Sequence, residues 1–299
     1  MMTSSTLSGS KRQSLAGQER AYRGRWSVAF QRLRSRPGAM IGAVIVLLFI
    51  LIAIFAPLLA PFDPNEISRN RRAAPSMEHW FGTDELGRDV LSRVIYGARV
   101  SLRVGLVAVG IAAVGGIFLG VLAAYFGGWL DNIVMRFTDV MLAFPGILLA
   151  IAIIAILGPS LFNVMIAVGI EAIPVYTRTA RASALTVKEL EYVIGAKSAG
   201  ARHERILFRH ILPNIVAPLI VLATIGVAGA ILAAAGLSYL GLGAQPPTAE
   251  WGAMLSNARN FLRDSWWMAT FPGLAIAIVV LALNLFGDGL RDILDPRSR

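Results

Sequence analysis

The sequence contains no cysteine and few charged residues. Of its 299 residues, 56% are hydrophobic and 15% are charged, whereas a soluble domain usually has about a quarter charged residues. Without cysteine, this chain can form neither a disulfide nor a thiolate metal site. Its three histidines, His79, His203 and His210, lack the spacing of metal ligands. These features indicate a membrane protein and give no support for a metal centre.

Catalytic and nucleotide-binding signatures are also missing. The three lysines, Lys11, Lys188 and Lys197, do not stand in the Gly-Lys-Ser/Thr arrangement of a phosphate-binding loop. There is no Gly-x-Ser-x-Gly and no His-Glu-x-x-His motif either. The net charge is +10, but aromatic side chains are not interleaved with the basic clusters as a nucleic-acid surface requires. We therefore expect no enzymatic activity and no nucleic-acid partner, and active transport would need energy from another subunit.

Long apolar runs dominate what is present. About 20 apolar residues in a helix cross the ~30 Å hydrocarbon core of a bilayer. The runs predict six spans, at about 39–59, 104–130, 133–157, 161–178, 215–240 and 266–286. Gly116 and Gly120 form a GxxxG motif, which favours close helix packing in lipid. The sequence thus predicts an all-α membrane protein with six transmembrane helices.

The charge distribution predicts the orientation of these helices. Eight basic residues and a single acid, Glu19, precede the first span, so the positive-inside rule places this end in the cytoplasm. An even number of spans returns the C-terminus to the same side. We expect a basic cytoplasmic tail over 1–38, with a surface helix from about Trp26. The first helix and an extracytoplasmic loop should cover 39–98, followed by a permease core over 99–291 and a cytoplasmic tail over 292–299.

A polar, basic stretch from Thr186 to Pro213 separates the fourth and fifth spans. Thr186 and Glu189 have the spacing of a capping box, which predicts a helix over about 186–200. The middle of the stretch is unusually small, with Gly195, Ala196, Ser198, Ala199, Gly200 and Ala201. Such a surface lets another backbone approach closely. Two interpretations remain open from the residues alone: a solvated loop, or a helix that docks into a groove on a soluble partner.

This stretch resembles the EAA loop of the membrane subunits of ABC importers. In that family, Glu-Ala-Ala is followed after three residues by Gly and later by Leu-Pro. Ala196, Gly200 and Leu212-Pro213 match, whereas Ile194 and Gly195 replace the Glu and the first Ala. The resemblance implies that this loop couples the chain to an ATPase. The implied contact residues are Glu191, Gly195, Ala196, Gly200, Arg202, His210 and Pro213.

Further segments resemble permeases of the dipeptide, oligopeptide and nickel group, most closely the C-type subunit of a dipeptide or glutathione importer. They are 81–102, 139–149, 237–255 and 286–296. The resemblance implies a type I importer permease fold in the bacterial cytoplasmic membrane, surrounded by lipid. It implies a heterodimer with a second permease, two ATPase subunits that carry ATP and Mg, an extracytoplasmic binding protein, and no cofactor in this chain.

The resemblance also places the binding protein against the outer loops, 62–98 and 241–265. The residues expected to meet it are Asp84, Arg88, Asp89 and Trp251. Independently of the resemblance, Asp84 is expected to cap a helix in which Val90 and Leu91 face one way.

Glu171 is notable on physical grounds. It lies about ten residues into the fourth span, near the bilayer centre. A charge there costs about 2.5–3.5 kcal/mol on insertion scales, so the carboxyl should face a cavity, be paired or be protonated. Our functional hypothesis is that Glu171 lines the substrate pathway and attracts an amine. The alternative is a protonated or hydrogen-bonded carboxyl at a helix interface.

Two other transport classes remain as alternatives. A channel would carry rings of polar residues along its spans, and a secondary transporter would carry several ionisable groups as an ion relay. Apart from Glu171, the six predicted spans have almost none of these. The sequence therefore favours an importer permease, but it does not distinguish dipeptide, oligopeptide, glutathione or nickel as the substrate.

Overall fold

The structure is a computed structural model that describes residues 36–294. Within this range it is helical, and its only β-type pairing is an isolated bridge between Thr83 and Asp89. The helices are α1 (Pro37–Ile54), α2 (Ala56–Leu59), α3 (Val90–Phe126), α4 (Gly128–Ala143), α5 (Gly146–Leu157), α6 (Leu161–Lys188), α7 (Glu191–Ser198), α8 (His203–Ile206), α9 (Leu212–Tyr239), α10 (Trp251–Ala258) and α11 (Trp267–Leu294). A π-helical turn over Leu207–Ile211 joins α8 to α9.

The predicted number of spans is confirmed, with one correction. Five helical segments are long and apolar enough to cross a membrane: α1, α3, α6, α8 with α9, and α11. The third predicted span is not one straight helix, because α4 and α5 are bent by 94° relative to each other. Pro145 stands at this break, where its ring removes a backbone donor and restrains Phe144 to an extended conformation. Counted as one broken span, the pair makes six.

Helix α3 joins the predicted interfacial helix and the predicted second span into one helix, and its cap is not the expected one. Its N-cap is Asp89, whose carboxylate accepts a hydrogen bond from the Ser92 amide at 2.7 Å. The prediction that Asp84 caps this helix was wrong, because Asp84 instead closes the preceding turn by accepting from the amides of Leu86 and Arg88. The helix also runs continuously through the boundary that we placed between residues 98 and 99.

Helix α6 ends later than expected. Thr186 lies inside it, and its hydroxyl donates to the carbonyl of Ala182, so the predicted capping box with Glu189 does not form. The next helix, α7, begins at Glu191 after Leu190 as N-cap and has no side-chain cap. The predicted helix over 186–200 is therefore the last turn of α6, a two-residue break and α7.

The first and last helices pack together. Gly42 of α1 lies against the backbone of α11, where an added Cβ would collide with the carbonyl oxygen of Ala282. Arg36 forms an ion pair with Asp292 at 3.2 Å. Helix α11 extends to Leu294 and so crosses the boundary predicted at 291/292. The predicted surface helix near Trp26 lies outside the described residues.

The centre of the fold is the contact between α3 and α6. An added Cβ on Gly116 would collide with Tyr176, and one on Gly120 would collide with the backbone of Thr177 and Arg181. The prediction that this GxxxG pair allows close helix packing is confirmed. Around it, the buried side chains of α3, α6, α9 and α11 form the main apolar core.

We predict that Gly116→Leu strongly destabilises the protein, because the new side chain would force α3 and α6 apart. Overpacking costs about 1–3 kcal/mol or more. Gly110→Leu on the same helix is the matched control, since nothing lies within 4 Å of the position that its Cβ would take. Thermal unfolding in detergent checks this, and equal melting temperatures for the two variants would contradict it.

Candidate functional site

The first candidate site is the segment between α6 and α9, residues 189–213, here called the coupling segment. Helix α7 ends in a Schellman motif. The amide of Ala201 donates to the carbonyl of Ala196 at 3.1 Å, and the amide of Gly200 donates to the carbonyl of Lys197 at 3.0 Å. Gly200 has a φ of +77°, a left-handed conformation that glycine adopts at little cost. The conformation of Gly200 thus turns the chain sharply between α7 and α8.

This turn creates a concave surface of small and basic residues. A cavity of about 550 Å³ opens there, lined by Ala196, Ala199, Gly200, Ala201, Arg202, Arg205 and His210. The structure therefore brings together four of the predicted coupling residues: Ala196, Gly200, Arg202 and His210. The other three, Glu191, Gly195 and Pro213, are exposed but do not line it. We call this concavity the α7–α8 pocket.

The coupling segment is attached firmly to the rest of the fold. Val193, Ile206 and Ile211 are buried in a second apolar core shared with the ends of α3 and α6. Lys188 donates to the carbonyl of Ala124 at 2.8 Å, which satisfies a free acceptor at the end of α3.

A tyrosine and a histidine add a polar contact between α3 and α8. The hydroxyl of Tyr125 lies 2.6 Å from Nδ1 of His203. Sequence reasoning missed this contact, as it missed the bond from Lys188, because the partners are 64 or more residues apart in the chain and no local pattern links them.

The second candidate site is the face of α6 that contains Glu171. This side chain is half-buried and its carboxylate lies against Gly146, the first residue of α5, where an added Cβ would collide with it. Two turns further along α6, Arg178 forms an ion pair with Asp139 of α4 at 2.5 Å, and these side chains are 53% and 55% exposed. Insertion scales assign about 2.5–3.5 kcal/mol to each charge at mid-membrane. This face is therefore unsuited to contact lipid.

A further ion pair joins the same two helices one turn further along α6 and near the start of α4. Arg181 contacts both oxygens of Asp131, with distances of 2.5 Å and 2.6 Å. A bidentate pair of this kind fixes orientation as well as distance. Since Asp131 and Asp139 both belong to α4, the two pairs hold α4 against α6. Sequence reasoning did not identify either pair.

The residues predicted to meet a binding protein are buried instead. Asp84, Arg88 and Asp89 are at most 5% exposed, and Trp251 is fully buried. The indole Nε1 of Trp251 donates to the carbonyl of Val94 at 3.0 Å. The carboxylate Oδ1 of Asp89 lies 3.0 Å from Nδ1 of His79. The expected direct contact with a partner does not match this burial. The four side chains instead hold the two outer loops in place.

Arg93 connects those loops and was missed by the sequence analysis. Its Nη1 donates to the carbonyl of Pro64 at 2.8 Å and to that of Pro247 at 3.4 Å, and its Nε lies 3.5 Å from Asp84. Pro64 and Pro247 belong to the two different outer loops. One buried guanidinium thus joins both loops to the start of α3.

Glu250 is a buried carboxyl at the start of α10. It accepts hydrogen bonds from the amides of Gly252 at 2.9 Å and Ala253 at 2.8 Å. Burial raises the pKa of Glu250, because desolvation outweighs the hydrogen bonds that favour its charged form. Sequence reasoning missed this cap, because Glu is not one of the usual N-cap residues.

Comparison with known proteins decides the family. Residues 116–299 match the model of binding-protein-dependent transport system inner membrane components, and residues 24–75 match the N-terminal transmembrane domain of oligopeptide transport permease C. The chain belongs to the family of inner membrane components of binding-protein-dependent transport systems. It is a multi-pass protein of the inner membrane.

Curated relatives cover most of the chain. The dipeptide transport system permease protein DppC of Alkalihalophilus pseudofirmus is 51% identical over 92% of this chain and 90% of the relative. The probable D,D-dipeptide transport system permease protein DdpC of Escherichia coli is 49% identical over 89% and 90%. The glutathione transport system permease protein GsiD of Escherichia coli is 49% identical over 92% and 91%.

The fold also matches solved structures. An inward-facing structure of the MetNI methionine ABC transporter aligns with a TM-score of 0.56 and 19% identity, covering 68% of this chain and 96% of that one. A second crystal form of the same transporter gives a TM-score of 0.55. These likenesses support the expected type I importer permease fold.

We predict that Arg93→Met loosens the outer loops. The variant leaves the carbonyls of Pro64 and Pro247 and the carboxylate of Asp84 without this donor, and unsatisfied buried groups cost about 1–3 kcal/mol. Arg99→Met is the matched control, since Arg99 lies on the same helix and is exposed. Limited proteolysis of the loops should be faster in the first variant only, and equal rates would contradict the assigned role.

A second prediction concerns pH. Because the folded protein holds the Glu250 proton more tightly than the unfolded chain, its free energy of unfolding should fall as pH rises from the ordinary value of 4.5 through the raised pKa. Glu250→Gln should remove this part of the pH dependence. Thermal unfolding of both proteins from pH 4 to pH 8 in detergent checks it. Parallel curves would show that Glu250 does not titrate in this window.

Proposed function

We propose that this chain is the C-type permease subunit of an ATP-driven importer of small peptides. The observation that carries the proposal is identity near 50% over about nine-tenths of the chain to permeases named for dipeptides or glutathione. The chain provides the membrane pathway and no catalysis. Dipeptides, short oligopeptides and glutathione are the proposed substrate class, in keeping with the substrates named for the matching family model and relatives.

The importer would contain several other subunits. A second permease completes the pathway as a heterodimer, and two ATPase subunits hold the ATP and Mg. A binding protein delivers the peptide to the outer loops. Both termini face the cytoplasm in this arrangement, in keeping with the basic residues before the first span and in the coupling segment.

The α7–α8 pocket would be the contact with one ATPase subunit. Its small residues permit close approach, and its three basic side chains, Arg202, Arg205 and His210, suit an acidic rim on the partner. The Schellman turn and the apolar anchor on α3 and α6 make this segment stiff. Movement of the ATPase would therefore pass to α6 as a nearly rigid displacement.

The outer loops would receive the binding protein through exposed side chains, while Asp84, Arg88, Asp89 and Trp251 maintain the shape of the docking surface from inside. The joint packing of both loops on Arg93 supports this division of roles, because a partner would then meet one preformed surface.

A bulky residue in the α7–α8 pocket tests the coupling role. In the reconstituted importer, Ala196→Trp should lower binding-protein-stimulated ATP hydrolysis and uptake at least about tenfold, the effect of losing 1.4 kcal/mol of contact. Glu204→Trp adds the same side chain at an exposed position that does not line the pocket, and it should remain close to the parent. Membrane insertion is checked by the yield of monodisperse protein. Normal uptake by the Ala196 variant would refute the coupling role.

A further inference from the structure

One face of the membrane-spanning helix α6 combines opposite charges. Glu171, Val175 and Arg178 follow at spacings of four and three residues, so they share a face. Val175 and Arg178 are exposed and Glu171 is half-buried. We call these three residues the α6 polar face.

The two charges lie symmetrically about the middle of the helix. Helix α6 has 28 residues, from Leu161 to Lys188, so its midpoint falls between residues 174 and 175. At 1.5 Å per residue, Glu171 and Arg178 lie about 5 Å on either side of it. Since the predicted fourth span covers 161–178, Glu171 lies near the bilayer centre and Arg178 lies towards the cytoplasmic side in the proposed orientation.

The two charges have different surroundings. Within the part of the chain that the structure describes, the carboxylate of Glu171 makes no hydrogen bond or ion pair; it lies against Gly146 at the break between α4 and α5. Arg178 is oriented by Asp139, which accepts from Nη2 at 2.5 Å. A guanidinium has five N–H donors, so Arg178 retains donors for a second anion. The face thus offers an unpartnered acid and an oriented base.

We propose that Glu171 and the Arg178–Asp139 pair form a transient site for a zwitterionic peptide, with the ammonium at Glu171 and the carboxylate at Arg178. The proposal rests on the proposed function, since it concerns a substrate in the pathway. Glu171 and Arg178 are separated by about 10 Å along the helix. An extended peptide of two or three residues spans about 7–10 Å, so both its termini can reach their partners.

Asp139 has a further consequence in this site. Because it neutralises Arg178 when no peptide is present, the base is never left as an isolated charge in the membrane. The carboxylate of a peptide would then share the guanidinium with Asp139 instead of holding it alone, which favours release. A transport site needs this weak, exchangeable binding.

The test uses the complete importer in proteoliposomes, with the second permease, the ATPase subunits and the binding protein. Uptake of labelled trialanine, whose extended length matches the separation, is measured per ATP hydrolysed for Glu171→Gln and Arg178→Gln. We expect each to fall about tenfold, the loss for one charge-assisted contact, while the subunits still co-purify. Glu171→Asp and Arg178→Lys should recover part of the loss, because they retain the charge.

Thr270→Val is the control, since Thr270 lies on α11 instead of α6 and its hydroxyl donates to the carbonyl of Trp266, four residues earlier in the chain. Unchanged uptake per ATP in both neutral variants would overturn the proposal. So would loss of the second permease from the purified complex, since the face would then be a subunit interface. If the parent complex itself shows no uptake dependent on the binding protein, the proposed function fails, and this result is distinct from the other two.

Discussion

The close contact between α3 and α6 positions most of the features described above. Lipid gives helices no hydrophobic reason to associate, so packing of small residues against backbone must supply the attraction. Gly116 and Gly120 provide that contact, and any side chain there would meet Tyr176 or the backbone of Thr177. Since α6 carries Glu171 and Arg178 and leads directly into the coupling segment, its placement on α3 determines the position of both candidate sites.

The apolar part of this fold was predictable and much of the polar part was not. The number of spans follows from the length of the apolar runs, and the Gly116–Gly120 contact follows from the spacing of the two glycines. Both are local properties of the chain. The cap at Asp89 was misassigned to Asp84 because both acids precede the same helix, and Asp84 is instead occupied by contacts with Arg88, four residues further on. The Arg178–Asp139 pair joins residues 39 positions apart, and no periodicity reports such a contact.

In the outer loops, residue type alone did not indicate which side chains are buried. Charged residues in a loop suggest an exposed surface that a partner can bind. Here Asp84, Arg88 and Arg93 are almost fully buried, and each guanidinium has an acid or backbone carbonyls as partners. Buried charges of this kind are retained only when paired. Their role is to fix two loops that have little apolar core of their own, which explains their position beside the membrane surface.

Two prolines in adjacent spans have opposite effects, and the difference matters for the proposed mechanism. Pro174 is buried inside α6, where the contact with α3 keeps the helix continuous despite the missing hydrogen bond. Pro145 has no comparable support, and the chain bends by 94° between α4 and α5. A displacement that starts at the coupling segment would therefore move α6 as a nearly rigid helix. The bend between α4 and α5, which lie beside α6, would accommodate the change in position. Because Glu171 lies against Gly146 at that bend, the motion would change the contacts of the α6 polar face directly.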